Sequence, residues 1–232
     1  MKNYVLTICL IAASTASTAQ VAESQLSPSS RKQLRDSLAV ASEALSFHPD
    51  SLELHLKKAA WNVQLEQWQY AREEYDYVLR RDPQNVAALF YRAFVNEKQK
   101  RYSFARFDYE HLLSIVPGNF EASLGLALLN AKDFRYTDAM NQINLLVTQY
   151  PDSAVAYAAR GGMEVERKMY MPAEYDYSKA IELDPDNTEY YLNRANVRLL
   201  MKRKEEARED LDTMVHLGVS RASLTDWYKK CK

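Results

Sequence analysis

Apolar and polar residues alternate along the chain with the spacing of helices. Within residues 154–187, one apolar-periodic stretch runs from about residue 154 to 168, and a second runs from about 172 to 183. Apolar residues that recur every three to four positions place one face of a helix against a core. The segment therefore predicts two amphipathic helices joined by a short turn.

Prolines repeat along the chain with a fixed period of 34 residues. A period of that size is typical of stacked supersecondary units, each of which buries its apolar face against its neighbours. Two residues after each proline stands a serine or asparagine, and both residue types favour helix N-caps. One short segment thus predicts the end of one helix and the start of the next. The prolines are Pro49, Pro83, Pro117, Pro151 and Pro185, and the predicted N-caps are Ser51, Asn85, Asn119, Ser153 and Asn187.

Columns of small and of aromatic residues share this period. A small residue is required where two helices cross closely, because a large side chain there would force the backbones apart. Aromatic residues fill the spaces around such crossings. The small columns are Ala59, Ala93, Ala127, Gly161 and Ala195, and Ala71, Ala105, Ala139, Ala173 and Ala207; the aromatic column is Trp68, Tyr102, Tyr136 and Tyr170.

These columns resemble the tetratricopeptide repeat, with the best match in residues 154–187, where Tyr157, Gly161, Tyr170, Ala173 and Pro185 follow its pattern. The resemblance implies an all-α, right-handed superhelical solenoid of helix-turn-helix repeats, with a capping helix at each end. The expected boundaries are a signal peptide at 1–19, a flexible N-terminus at 20–28, an N-terminal capping helix (half a repeat) at 29–51, repeats at 52–85, 86–119, 120–153, 154–187 and 188–219, and a C-terminal capping helix at 220–232 that starts at Ser220.

The first residues have the pattern of a secretory signal peptide. Lys2 precedes an apolar run over 4–13, and small and polar residues follow up to Gln20. Such a run is too short to span a bilayer, which takes about 20 residues. We expect cleavage before Gln20 and export to the periplasm, with an extracellular destination as the alternative. Cleavage would remove Cys9 and leave Cys231, either as a partly buried structural thiol or in an intermolecular disulfide.

Composition argues against several classes of function. The chain has 30 Lys+Arg and 31 Asp+Glu, for a net charge of −1, which gives no reason to expect nucleic-acid binding. Glycine is scarce, at 5 residues, which disfavours tight turns and phosphate-binding loops.

The inventory of reactive side chains favours a non-catalytic protein with no metal and no cofactor. The histidines fall in different repeats and lack the spacing of metal ligands, and the sequence contains no phosphate-loop or nucleophile-elbow motif. Acid pairs are expected on solvated faces. An enzyme with a hidden active site is the alternative. The histidines are His48, His55, His111 and His216, and the acid pairs include Glu73–Glu74 and Glu205–Glu206.

The resemblance implies a binding groove on the concave surface, which the first helix of each repeat would line. Its residues are apolar and aromatic, as interfaces often are. Phe90 and Phe94 are four residues apart, so the alternative is that both belong to the core. Asn193 and Asn196 could bond the backbone of an extended peptide, and Gly162 could leave room for it. The predicted groove residues are Phe90, Tyr91, Phe94, Leu124, Leu128, Val155, Gly162, Leu192, Asn193 and Asn196.

The sequence therefore predicts a protein-interaction scaffold that binds an apolar or helical segment of a protein partner. It is expected to be monomeric in isolation, to bind no nucleic acid, and to be peripheral to a membrane at most. No repeat has a basic residue at its fifth position, so the clamp with which some tetratricopeptide domains hold a C-terminal carboxylate is not expected. The alternative is a structural subunit of an envelope or secretion assembly, or a self-associating adaptor.

Overall fold

The computed structural model describes residues 27–232, and helices are the only regular elements in that range. The predicted signal peptide at 1–19, Cys9 and most of the predicted flexible segment at 20–28 lie outside the described residues. The all-α fold expected from the repeat pattern is confirmed. Twelve helices follow one another in the described range: α1 Pro28–Phe47, α2 Leu52–Gln64, α3 Trp68–Arg81, α4 Val86–Lys98, α5 Tyr102–Ile115, α6 Phe120–Lys132, α7 Tyr136–Gln149, α8 Ala154–Glu166, α9 Tyr170–Leu183, α10 Thr188–Leu200, α11 Lys204–His216 and α12 Thr225–Lys230.

Two compact units divide the described chain, residues 27–146 and 147–232, and the division falls within α7. In the first unit, α2 packs on α3 and α4 packs on α5, while α1, α3 and α5 each contact the helix that follows. In the second unit, α8 packs on α9, α10 packs on α11, and α9 contacts α10. Each unit is thus a series of helix pairs in which every pair rests on its neighbour in sequence.

Each first helix starts at the residue type predicted from the proline period. The Asn85 side chain accepts a hydrogen bond from the backbone N–H of Ala88 at 3.0 Å, and Asn119 accepts one from Ala122 at 2.8 Å. Such a cap satisfies a backbone donor that has no partner within the helix, and it contributes about 1 kcal/mol. The five N-cap predictions are confirmed, because Ser51, Ser153 and Asn187 make the same kind of bond.

The turn between the two helices of each repeat is built without glycine. One residue in each turn has a φ between 57° and 63°, and the next residue donates its backbone N–H to a carbonyl five positions earlier, as Arg101 does to Asn96 at 2.8 Å. This is a Schellman ending, which usually carries glycine. Glycine is scarce in this chain, and at these corners other residues take the left-handed conformation in its place. The five corner residues are Glu66, Lys100, Phe134, Lys168 and Lys202.

Small residues lie where the helices cross, as predicted. Ala59, Ala93, Ala127 and Ala195 are fully buried. A Cβ atom added at Gly161 would lie 3.3 Å from the ring of Tyr177, so the two helices of that repeat approach closely. The small columns are therefore packing positions.

A buried ion pair joins the first and second helices in four of the five repeats. In the second repeat, Arg92 donates to both carboxylate oxygens of Asp108, at 3.0 and 2.6 Å, and Asp108 is only 1% exposed. A cation in the first helix pairs in every case with an acid sixteen residues later. A buried carboxylate is stable only when such a partner and further hydrogen bonds replace its hydration. The pairs are Lys58–Glu74, Arg92–Asp108, Arg160–Asp176 and Arg194–Asp210.

One member of this column was misplaced by the sequence analysis. Glu74 was expected on a solvated face, but its side chain is only 12% exposed because it accepts from Lys58 at 2.7 Å and lies 2.5 Å from His55 Nδ1. Among the other acids of the two pairs, Glu73 and Glu205 are exposed, and Glu206 is half-buried.

The third repeat replaces the ion pair with neutral groups. Leu126 and Gln142 stand at the two positions, and Asn130 donates its side-chain amide to the Gln142 oxygen at 2.8 Å. Asn96 is the equivalent of Asn130 in the second repeat, and its amide donates to Asp108 at 3.2 Å. The same pair of positions can therefore hold either an ion pair or neutral side chains.

The C-terminal cap is shorter than predicted. The expected helix from Ser220 begins only at Thr225, because residues 221–224 form turns in which the Ser220 carbonyl accepts from Ser223. Leu224 and Cys231 are nevertheless buried in one cluster with residues of α10 and α11. Burial raises the pKa of the Cys231 thiol, which lowers its reactivity and favours a structural role.

We predict that the neutral pair of the third repeat can be transferred to the second. Asp108→Gln alone should lower the free energy of unfolding by about 2–3 kcal/mol, because Arg92 loses its buried partner. Adding Arg92→Leu should recover most of this loss, since the Asn96 amide can then bond the new glutamine. Urea unfolding of the single and double variants measures the difference, and equal destabilisation of both would contradict the interpretation.

Candidate protein-binding surfaces

The predicted groove residues of α4 are half-buried and pack against the core of the first unit. Phe90, Tyr91 and Phe94 all contact the main apolar cluster of that unit. Their rings contact neighbouring aromatics edge to face, with Phe94 at 6.1 Å from Trp68 and Phe90 at 5.9 Å from Tyr109, between centroids. These side chains therefore contribute to packing, and only part of each ring remains available to a ligand.

On α6 the two predicted leucines differ. Leu124 is only 3% exposed, so its expected place on a binding surface was wrong. The reason is packing within the unit, since α6 contacts both α4 and α5. Leu128 is half-buried and remains accessible.

Charged groups lie beside the α4 rings. The Lys132 ammonium is 2.5 Å from the Glu97 carboxylate, and the Lys98 ammonium lies 5.2 Å from the centre of the Phe94 ring. An ammonium at that distance is attracted to the ring face. The first unit thus combines partly exposed aromatic rings with polar groups, which is the usual anatomy of a protein interface.

In the second unit, the predicted residues lie on α8 and α10. Val155 is exposed, whereas Gly162, Asn193 and Asn196 are half-buried. Leu192 packs against the C-terminal cluster. Each residue remains partly accessible, and none is fully buried.

Sequence reasoning missed three exposed aromatic residues on the second helices of the first unit. Tyr70, Phe104 and Phe107 lie on the second helices α3 and α5, and Phe107 is 63% exposed. Met171 and Tyr175 occupy similar places on α9 in the second unit. The missing signal was a large apolar residue at a second-helix position outside the repeat columns.

Glu164 on α8 is a buried carboxyl without a full set of hydrogen bonds. It lies where Asn62, Asn96 and Asn130 stand in the first three repeats, and its Oε2 has no hydrogen-bond partner among the described residues. Burial, followed by the nearby Asp176 carboxylate, raises the pKa of Glu164 to about 7, although Arg160 opposes the shift.

No group of three metal-ligating side chains comes together within residues 27–232. None of the helices in this range has the length and apolar character needed to cross a membrane.

Two family models of the tetratricopeptide repeat match the chain, at residues 63–112 and 177–209. These two segments therefore match the tetratricopeptide repeat. Over 55 residues it is 44% identical to the DnaJ homolog subfamily C member 7 homolog of Schizosaccharomyces pombe. That match covers 22% of this chain and 12% of the yeast protein, so the chain spans only a small part of that relative's length.

Several solved structures share the fold at low sequence identity. A tetratricopeptide repeat protein from Parabacteroides merdae has a TM-score of 0.70 and 21% identity, over 87% of this chain and 78% of that one. TTC0263 of Thermus thermophilus has a TM-score of 0.63 and 18% identity, over 78% and 98%. YrrB, described as a repeat protein with an unusual peptide-binding site, has a TM-score of 0.56 and 17% identity, over 82% and 97%.

We predict that Glu164 makes the stability of the protein depend on pH. Its folded pKa of about 7 lies above its ordinary value of 4.5, so between these values the folded state holds a proton that the unfolded state releases. The free energy of unfolding should then fall as the pH rises from about 4.5 to 7, and level off above. Glu164→Gln should remove this decline and be more stable than the parent at pH 8, by about 1–2 kcal/mol.

Urea unfolding of both proteins at pH 5 and pH 8 measures the effect, with the exposed Glu209→Gln as the control. The same pH dependence in the parent and in Glu164→Gln would contradict it.

Proposed function

We propose that the chain is a non-catalytic scaffold that binds an apolar or helical segment of a partner protein. The binding surface is formed by the first helices of the repeats, and in the first unit by α4 and α6. The observation that carries the proposal is the set of partly exposed rings on α4, Phe90, Tyr91 and Phe94. Leu128 on α6 is also partly accessible. Aromatic anchors of this kind dominate the energetics of many protein interfaces.

Two further observations support the proposal. Tetratricopeptide proteins commonly bind other proteins, and YrrB, which has the same fold, carries a peptide-binding site according to its description. The polar groups beside the α4 rings, Lys98 and the Glu97–Lys132 pair, could orient a bound segment while the rings supply apolar contact. In the second unit, the half-buried Asn193 and Asn196 could bond the backbone of the same kind of ligand.

Export is part of this proposal. The apolar run at 4–13 behind Lys2 and the small residues before Gln20 support a cleaved signal peptide, and hence a partner in the periplasm or outside the cell. Mass spectrometry of the protein recovered from the source organism tests this, because a chain that begins at Gln20 is expected.

We predict that a photoreactive benzoylphenylalanine at position 94 will cross-link a bound peptide. Charged substitutions at Phe90 or Phe94 would confuse loss of binding with loss of folding, because both rings pack on the core. An aromatic analogue avoids this. Peptides selected from a random display library would serve as ligands, and the product would be detected by mass spectrometry.

The matched control places the same analogue at Phe134, which is 77% exposed and lies at a helix–helix corner. Cross-linking at position 94 should exceed that at 134 by at least about fivefold. The reason is that a ligand on α4 would contact the analogue at position 94, whereas the analogue at 134 would contact mainly water. Equal yields at the two positions would reject α4 as the binding surface.

A further inference from the structure

A cleft of about 590 Å³ opens in the first unit where α3, α4 and α5 meet. Its lining includes the guanidinium groups of Arg72, Arg92 and Arg101 and two exposed rings, from Phe104 and Phe107. It also includes the Asp76 and Asp108 carboxylates, both of which pair with Arg92. The Arg101 guanidinium lies 4.3 Å from the centre of the Phe104 ring. The cleft thus places positive charge beside apolar surface.

Arg72 and Arg101, unlike Arg92, have no carboxylate partner among residues 27–232. Arg72 donates from Nη2 to the side-chain oxygen of Gln69 at 2.7 Å, but its buried Nε has no hydrogen-bond partner there. The buried Oδ1 of Asn96, which also lines the cleft, is unpartnered as well. A buried polar group without a partner is unfavourable. A ligand carboxylate can accept from the Arg72 Nε–H, whereas the Asn96 oxygen is itself an acceptor and needs a donor.

At the corresponding positions of the second unit, an acidic residue replaces one of the arginines. Three repeat lengths after Arg72 stands Glu174, and three after Arg101 stands Arg203. Glu174 accepts a hydrogen bond from Arg203, and it accepts another from Arg198 at 2.8 Å. In the second unit a carboxylate of the chain itself therefore pairs with the arginine that is left unpaired in the first.

The ring positions change in the same way. Glu206 and Glu209 stand three repeat lengths after Phe104 and Phe107, and Glu206 accepts hydrogen bonds from Arg203. The second unit thus carries acids at three positions where the first carries an arginine and two phenylalanines. At these four positions the first unit therefore has two arginines and two phenylalanines, and the second unit has one arginine and three acids.

We infer that this cleft binds an acidic side chain of a partner protein, flanked in its sequence by apolar residues. The ligand carboxylate bridges Arg72 and Arg101 and supplies the negative charge that Glu174 supplies in the second unit. Charge-assisted hydrogen bonds to guanidinium groups are among the strongest that a carboxylate makes. The flanking apolar residues pack on Phe104 and Phe107, whose exposure is otherwise unfavourable.

The cleft and the α4 aromatic surface are separate sites. Arg92 and Asn96 line the cleft, and each follows one of the α4 phenylalanines, Phe90 and Phe94, by two positions. Two positions correspond to about 200° around a helix, so the two sites lie on opposite sides of α4. Failure of one proposal therefore leaves the other intact.

The test measures fluorescence anisotropy of two blocked, labelled heptapeptides with the purified protein. One peptide has a glutamate between two phenylalanines in a serine background, and the other has glutamine in place of the glutamate. The acidic peptide should bind at least about tenfold more tightly, and its affinity should fall as salt is added. Equal affinities, or no binding up to about 1 mM peptide, would overturn the proposal.

Two variants locate the site. Arg72→Glu reproduces the charge of the second unit and gives Arg101 a partner within the chain, and Arg101→Met removes the second cation. Each should weaken binding of the acidic peptide at least about tenfold. Arg80→Met, at an exposed arginine elsewhere on α3, should change it less than about twofold.

Unchanged helicity and melting temperature by circular dichroism would show that the variants fold. Unaltered affinity in a folded Arg72→Glu variant would refute the site, and so would peptide-independent dimerisation of the parent that Arg72→Glu abolishes, because the cleft would then bind a second copy of the chain.

Discussion

A carboxylate held out of water by a cation sixteen residues earlier fixes how the two helices of a repeat pack on each other. The cation also reaches back to the preceding repeat, because Arg92 donates to Asp76 at 2.8 Å and Arg194 donates to Ser178 at 3.0 Å. One side chain thus joins three helices. Buried pairs of this kind add little net stability compared with apolar residues, so their role is better understood as setting the register of the helices. Apolar contacts, which have no direction, cannot do this alone.

The same network explains why repeats of one fold differ in chemistry. In the second unit, Arg198 and Arg203 pair with Glu174 and Glu206. The positive charges there are therefore balanced by acids of the same chain. In the first unit the corresponding acids are absent from the sequence, and Arg72 and Arg101 keep their charge beside exposed rings. Because neighbouring repeats depend mainly on one another, each repeat can change its outer residues without disturbing the rest of the array.

The fold was predictable from the sequence because every periodic column has a packing or capping role: the alanines at helix crossings and the serine or asparagine N-caps did what their residue types predict. The ion pairs were missed because the period was sought among apolar residues, and because Leu126 and Gln142 interrupt the charged column. A search for acids sixteen residues after each cation would have found it. The burial of Leu124 was beyond reach, since it depends on how closely α6 contacts α4 and α5 and not on its place in the repeat.

The left-handed corner residues have a consequence for how the protein could evolve or be engineered. Each of the five is a non-glycine residue in a conformation that costs roughly 1–2 kcal/mol. Glycine would recover about half of this cost, because it loses more conformational entropy on folding. Replacement by glycine at any of these five positions would therefore raise the free energy of unfolding. Each replacement would act independently of the others. A homologue adapted to high temperature would then be expected to carry glycine at the corner position of its repeats.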